Sequence, residues 1–174
     1  RSLVGSEMCI RDRSEIFICS TGMIGEFLPI EKILNGVDVV ASRLSNETLL
    51  DCAEAIMTTD SVPKIATVVG AGVQMSGIAK GAGMLAPALA TMLCVVMTDA
   101  LVPEDAQEIF ADTIERTFNR IDSDGCTSTN DTILLMSSGA SGHQLTRDDF
   151  TAMLFEVCDS LAAQLIADAE GSTK

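Results

Sequence analysis

Tryptophan and tyrosine are absent from this chain of 174 residues, histidine occurs once, and Lys and Arg number 11 against 25 Asp and Glu. The resulting formal charge of −14 repels phosphate backbones and anionic lipid headgroups. Nucleic acid and membranes are therefore not expected as partners, and the acidic excess reads as solubility. A zinc site needs histidines or closely spaced cysteines. His143 stands alone in a polar stretch, and Cys9, Cys19, Cys52, Cys94, Cys126 and Cys158 form no CxxC pair, so no metal is expected. Most of these cysteines fall in apolar stretches, which predicts reduced, buried thiols in a cytoplasmic protein.

Long apolar runs are missing too. The longest uncharged segment, between Lys80 and Asp99, has 18 residues and so reaches the lower limit for a membrane span. Gly81, Gly83 and Pro87 interrupt its first half, and the remainder, residues 88–98, predicts a buried strand or core segment. Its glycines are not followed by the Gly-Lys-Ser/Thr of a phosphate-binding loop. The opening RSLVGSEMCIRDR has neither the apolar core of a signal peptide nor helical periodicity. It looks like translated sequencing adapter, and residues 1–13 are expected to be a non-native leader.

What is present suffices for a core, since 47% of the residues are hydrophobic. EIFICS, from Glu15, predicts a strand running into the turn Ser20-Thr21-Gly22. Ser45 or Asn46 can cap a helix with Leu49, Cys52, Ala53, Ile56 and Met57 on its buried face. Residues 64–69 and 73–79 predict a hairpin around Gly70-Ala71-Gly72. Pro103 opens a second helix with Ala106, Ile109, Phe110, Thr113, Ile114 and Phe118 as its stripe. A strand is predicted at residues 132–136. The capping box Thr146-x-x-Asp149 starts a third helix that buries Phe150, Met153, Leu154, Val157, Leu161 and Leu165. Strands and helices come in blocks without a regular βαβ rhythm, which predicts a layered α/β or α+β sandwich.

Residues 80–93, KGAGMLAPALATML, set one amine and one hydroxyl in apolar surroundings behind a Gly-rich turn. By composition alone Thr91 reads as a strand residue bonded to a nearby carbonyl. The string, however, resembles the self-cleavage motif of the ornithine acetyltransferases, Lys-Gly-x-Gly-Met-aliphatic-x-Pro-x-x-Ala-Thr-Met-Leu, at every specified position. Ser20-Thr21-Gly22 with Ile24-Gly25, the segment from Ala55 to Asp60, the segment from Thr127 to Thr132 and the final AEGSTK resemble the same family in the same order. Together they cover residues 14–174.

That resemblance implies the self-processing, N-terminal-nucleophile-like fold shared with the DmpA-like enzymes. It implies cleavage between Ala90 and Thr91, so that residues 14–90 end an α subunit and residues 91–174 begin a β subunit, with the two products associating as a heterotetramer. It further implies a glutamate N-acetyltransferase of arginine biosynthesis, with N-acetylornithine and glutamate as substrates and no cofactor. Acetyl-CoA as a second donor is left open. Thr91 would be the nucleophile, and the Thr21 hydroxyl and Gly22 N–H would form the oxyanion hole. Substrate contacts carry over to Thr58, Lys80, Thr91 and Glu170, with Thr59 the neighbouring alternative to Thr58, and two further contacts are expected beyond Lys174. In isolation Thr21-Gly22 reads as a plain turn, Thr58 as a helix end and Glu170 as the polar end of a helix, and Asn130 and Asp131 read as local turn formers. Two other classes of function stand beside this one. A Thr-nucleophile amidohydrolase or aminopeptidase would pass the acyl group to water. A non-catalytic scaffold would leave its apolar strands for another chain to cover.

Overall fold

The computed structural model describes residues 17–20, 25–45, 48–83, 92–126 and 130–171. The chain divides into two compact units, Arg1–Leu49 and Leu50–Lys174.

In the first unit, Ile30, Ile33, Leu34 and Val37 recur at helical spacing and form helix α1, Ile30–Ala41. The Pro29 carbonyl accepts from the N–H groups of Lys32 and Ile33 at 2.9 and 3.1 Å. Sequence reading did not anticipate this helix, because Gly36 and the β-branched Val37, Val39 and Val40 weaken its local propensity. Residues 17–20 form no strand, contrary to expectation, and Glu15 and Ile16 lie outside the described residues.

Helix α2, Leu49–Ala55, opens at the boundary and buries only Ala53. Its expected face fails because seven residues make barely two turns: Cys52 is exposed, and Ile56 and Met57 lie beyond its end. The second unit is a mixed four-stranded sheet in the order β1-β2-β3-β4, comprising β1 Lys64–Gly70, β2 Val73–Lys80, β3 Leu93–Thr98 and β4 Thr132–Ser137. The first three strands pair antiparallel. Gly70 pairs with Val73, which leaves Ala71-Gly72 as a two-residue turn with φ of 50° and 76°, the doubly positive geometry that matches strand twist. Strands β3 and β4 run parallel, so a crossover must join them. It contains helix α3, Ala106–Arg116, and a 3-10 turn at Phe118–Arg120. One βαβ unit is therefore present where the sequence showed no such rhythm.

Helix α4, Arg147–Ala167, forms the second layer. Thr146 Oγ1 accepts the Asp149 N–H at 3.1 Å and donates to the Asp149 carboxylate at 2.7 Å, the expected cap. All six residues of its predicted stripe are buried, joined by Cys158 and Ala162. It packs on β1 and β2, and α3 packs against it. Facing it, Ala66, Met75, Ala79, Cys94 and Val96 alternate along three adjacent strands. Gly77 lets it come close, since a Cβ there would lie 2.8 Å from Leu161 Cδ1. By length and composition α4 could cross a membrane, yet its apolar side is spent on the sheet, as in a core helix.

Burial raises the Cys94 thiol well above its ordinary value, helped by Cys158, and pushes Cys158 up to about 12, so both stay protonated and unreactive at neutral pH. The expectation of buried cysteines holds for these two, whereas Cys52 and Cys126 are exposed and Cys19 is half-buried. Cys9 lies outside the described residues.

Candidate active site

Strand register brings Lys64, Lys80, Leu93 and Thr132 to the same end of the sheet, where Lys64 pairs with Ala79, Lys80 with Leu93, and Leu93 with Thr132. Two of these four are lysines, and both are buried, at 0% and 1% exposure. A lysine is almost never buried so completely without a partner.

Lys64 Nζ lies between two carboxylates, 2.7 Å from Asp60 Oδ1 and 2.6 Å from Asp168 Oδ2. Asp60 does more than pair with it. Its Oδ1 also accepts the Gly81 N–H at 2.6 Å, and its Oδ2 accepts the Thr58 N–H at 3.1 Å. Asp168, the residue after α4, accepts the Ser61 N–H at 3.0 Å and the Ser61 hydroxyl as well. One buried cation thus ties the segment after α2, the start of β1, the end of β2 and the end of α4 together.

Lys80 Nζ donates to Thr58 Oγ1 at 3.1 Å. Burial lowers its ammonium below the ordinary value, Asp60 and then Asp131 pull it back up, and Lys64 lowers it again. Glu170 lies in the turn past α4, where its N–H donates to the Ala82 carbonyl at 2.7 Å and its Oε2 lies 3.5 Å from where a Gly83 Cβ would be. Both Thr58 and Glu170 are exposed, while Lys80 and Gly81 beneath them are buried. The three described members of the expected substrate set therefore meet around residues 81–83. Thr21, Gly22, Ala90 and Thr91 lie outside the described residues.

Asp131 reaches beyond its own segment: its Oδ1 accepts the Met92 N–H at 2.8 Å across 39 residues, and the Met92 carbonyl accepts the Thr132 N–H at 3.1 Å. Both backbone groups of the residue following Thr91 are thereby fixed to the start of β4. His143 is exposed, as expected, with its ring 3.4 Å from the position of a Gly72 Cβ. Among the described residues no cluster of His, Cys, Asp and Glu could hold a metal. An open groove of about 670 Å³ between α3 and α4, lined by Asp112, Arg116, Arg147 and Phe155 among others, shares no residue with this site.

Sequence reading missed Asp60, Lys64 and Asp168 as parts of the site. Asp60 sat within a quoted family segment without a role, and a lysine opening a strand reads as solvated charge.

The profile of the ArgJ family matches residues 2–174. The chain belongs to the ArgJ family. A relative from Thermobifida fusca, an arginine biosynthesis bifunctional protein ArgJ, is 54% identical over 160 residues, covering 91% of this chain and 42% of the relative. The ArgJ 1 protein of Streptomyces clavuligerus is 50% identical over 162 residues, 92% of this chain and 42% of its own. That of Bifidobacterium longum is 45% identical over 175 residues, 98% of this chain and 44% of its own. The chain thus spans about two fifths of the length of these ArgJ relatives.

The electrostatics of the site make a testable statement about acid stability. Burial pushes the Asp168 carboxyl up, but hydrogen bonds from Lys64 and Ser61 and the Lys64 charge outweigh it and bring it from 3.8 to about 2. Asp60 is likewise lowered overall: burial raises it, and the Gly81 N–H, Lys64 and the Thr58 N–H outweigh that. Between the two Asp168 values the unfolded chain binds the extra proton, so stability rises with pH there. Its contribution is complete above 3.8 and is lost as pH falls through about 2. Asp168→Asn in the full-length protein is therefore expected to flatten the acid limb of a plot of denaturant midpoint against pH. An acid limb identical to wild type would refute this account.

Proposed function

We propose that the full-length protein is a cytoplasmic acetyltransferase of arginine biosynthesis. It moves acetyl from N-acetylornithine to glutamate through an ester on Thr91, after cutting its own chain between Ala90 and Thr91. The observation that carries this reading is the gathering of Thr58, Lys80 and Glu170 around the turn that leads toward Thr91, in a chain of the ArgJ family. The self-processing, N-terminal-nucleophile-like fold belongs to the same proposal. So does association of the two products, as a heterotetramer.

The chemistry needs few parts. Thr91 Oγ1 attacks the Ala90 carbonyl, the C–N bond breaks, and the resulting ester is hydrolysed to leave a carboxylate on Ala90 and a free α-amino group on Thr91. That amine has an ordinary pKa near ~8, which suits a general base at neutral pH. It takes the hydroxyl proton as Oγ1 attacks the acetyl carbonyl of N-acetylornithine, and the proton passes to the departing ornithine amine. The α-amino group of glutamate then attacks the acetyl ester and restores Thr91, a ping-pong cycle. Each tetrahedral oxyanion would rest against the Thr21 hydroxyl and the Gly22 N–H.

The charges suit such ligands. Lys80 supplies an ammonium for a substrate carboxylate, Glu170 at the mouth a carboxylate for a substrate ammonium, and the Thr58 hydroxyl, while accepting from Lys80, keeps a proton to donate. The relatives' description as bifunctional fits a second donor, acetyl-CoA.

Intact mass spectrometry of the full-length protein tests the proposal. The expected result is a cut between Ala90 and Thr91 and, after brief exposure to N-acetylornithine, the mass of one acetyl group on the piece that begins with Thr91. Cutting without the adduct would favour the amidohydrolase, and neither signal would overturn the reading.

A further inference from the structure

Lys80 and Thr58 do not hold themselves in place. Thr58 is exposed, on a segment with no regular structure between α2 and β1, and Lys80 is the last residue of β2. One side chain reaches both. Asp60 accepts the Thr58 N–H with one oxygen and, with the other, the Gly81 N–H of the peptide that follows Lys80. The same oxygen pairs with Lys64, which extends the tie through Asp168 toward Glu170, two residues further on. The Thr58 N–H, the Gly81 N–H and the Asp168 carboxylate, from three segments, thus converge on two buried residues, Asp60 at 8% and Lys64 at 0% exposure.

We propose that Asp60 is the positioning residue of the site, setting the Thr58 hydroxyl and the Lys80 ammonium in the single arrangement that receives a substrate carboxylate. The inference rests on the reading of Thr58 and Lys80 as substrate contacts. Geometry and charge act together here. Asp60, Lys64 and Asp168 carry one net negative charge between them, which offsets the positive charge of Lys80 in its buried place. Among the described residues Asp131, at the entry to β4, also raises the Lys80 ammonium, and Lys64 lowers it. Burial lowers this ammonium and the facing anions raise it, so losing one of them would shift it further toward the neutral amine, which binds a carboxylate poorly. Asp60 does not reach the reacting atoms and acts through its neighbours.

Two substitutions separate geometry from charge. Asp60→Asn removes the charge and turns an N–H toward the Thr58 N–H. Asp60→Glu keeps the charge and displaces the carboxylate. In the full-length enzyme, both are expected to raise KM for N-acetylornithine roughly tenfold or more, the scale of misplaced substrate contacts, while kcat changes less than about threefold. The Lys80 side chain is followed through pH by NMR of lysine-labelled full-length protein, with its signal assigned by Lys80→Arg. Its midpoint should fall in Asp60→Asn and stay in place in Asp60→Glu.

A Lys80 midpoint unmoved by Asp60→Asn, or a KM unmoved by either variant, would overturn the proposal, as would a loss confined to kcat. Should Asp60→Asn fail to fold, the KM of Asp60→Glu still decides. The titration needs no substrate. A wild-type protein without transferase activity, but with an Asp60-dependent Lys80 midpoint, would therefore retire the functional reading and leave Asp60 its role.

Discussion

Full-length protein carrying Thr91→Ala is expected to remain one uncut chain and to lose acetyl transfer by about 10⁴-fold or more, the range seen when an enzyme loses its nucleophile. Both losses have one cause. The hydroxyl that would open the peptide bond before residue 91 is the hydroxyl that would carry acetyl, and the amine that would serve as its base exists only after the cut. Thr91→Ser should retain part of each activity, because the hydroxyl survives while the methyl group that restricts its rotamer is gone. Alanine must not disturb the surrounding fold for the result to be read this way. The neighbouring Met92 offers a check, since its N–H is held by Asp131 and its carbonyl by Thr132. An amide spectrum that differs only near the cut, together with lost transfer, is the expected pair of observations. An uncut variant with full activity would sink the mechanism.

The second large effect concerns stability. Lys64→Met is expected to destabilise the full-length protein by about 3–5 kcal/mol, because it leaves the Asp60 and Asp168 carboxylates facing one another in a buried place without their shared cation. The cost belongs to the abandoned charges more than to the lost attraction. Neutralising both, in the triple variant Asp60→Asn, Lys64→Met, Asp168→Asn, should therefore recover most of the lost stability. Substrate affinity should be impaired in that variant, since an amide at position 60 offers one acceptor oxygen to the two N–H groups of Thr58 and Gly81. Denaturant melts of the two proteins decide it. A Lys64→Met variant as stable as wild type would mean that the carboxylates find other partners or take up protons without strain.

Local chemistry made parts of this structure legible. The α4 cap and its stripe are written within a few residues, and the β1–β2 hairpin is marked by the small residues at its turn. Thr58, Lys80 and Glu170 were singled out by likeness to family segments, and their approach to residues 80–83 depends on contacts that no short window contains. Lys64 shows why other parts stayed hidden. Its partner Asp168 is 104 residues away, and Asp60, four residues before it, would pair as readily with a solvated lysine as with a buried one. The long-range bond of Asp131 stayed hidden for the same reason, its acceptor oxygen serving an amide 39 residues earlier. Helix α1 was missed because its propensity is weak although its spacing is regular, and the face expected of α2 failed because the helix is too short to present one.

That residue 90 falls between β2 and β3 in the sequence has a consequence for how the protein could be made and lost. Strands β1 and β2 precede it, whereas β3, β4 and α4 follow it, and α4 packs on the two strands that precede it. A cut there would sever the chain without severing the core, so that the β2–β3 ladder and the helix–sheet layer would become a boundary between molecules. An uncut precursor would find this arrangement as a single chain, at a rate independent of concentration. Mature pieces, once parted, would have to find it by collision. Heating would then be a one-way loss for the mature protein in dilute solution and a reversible one for the Thr91→Ala precursor, and only the mature form would have a midpoint that moves with dilution.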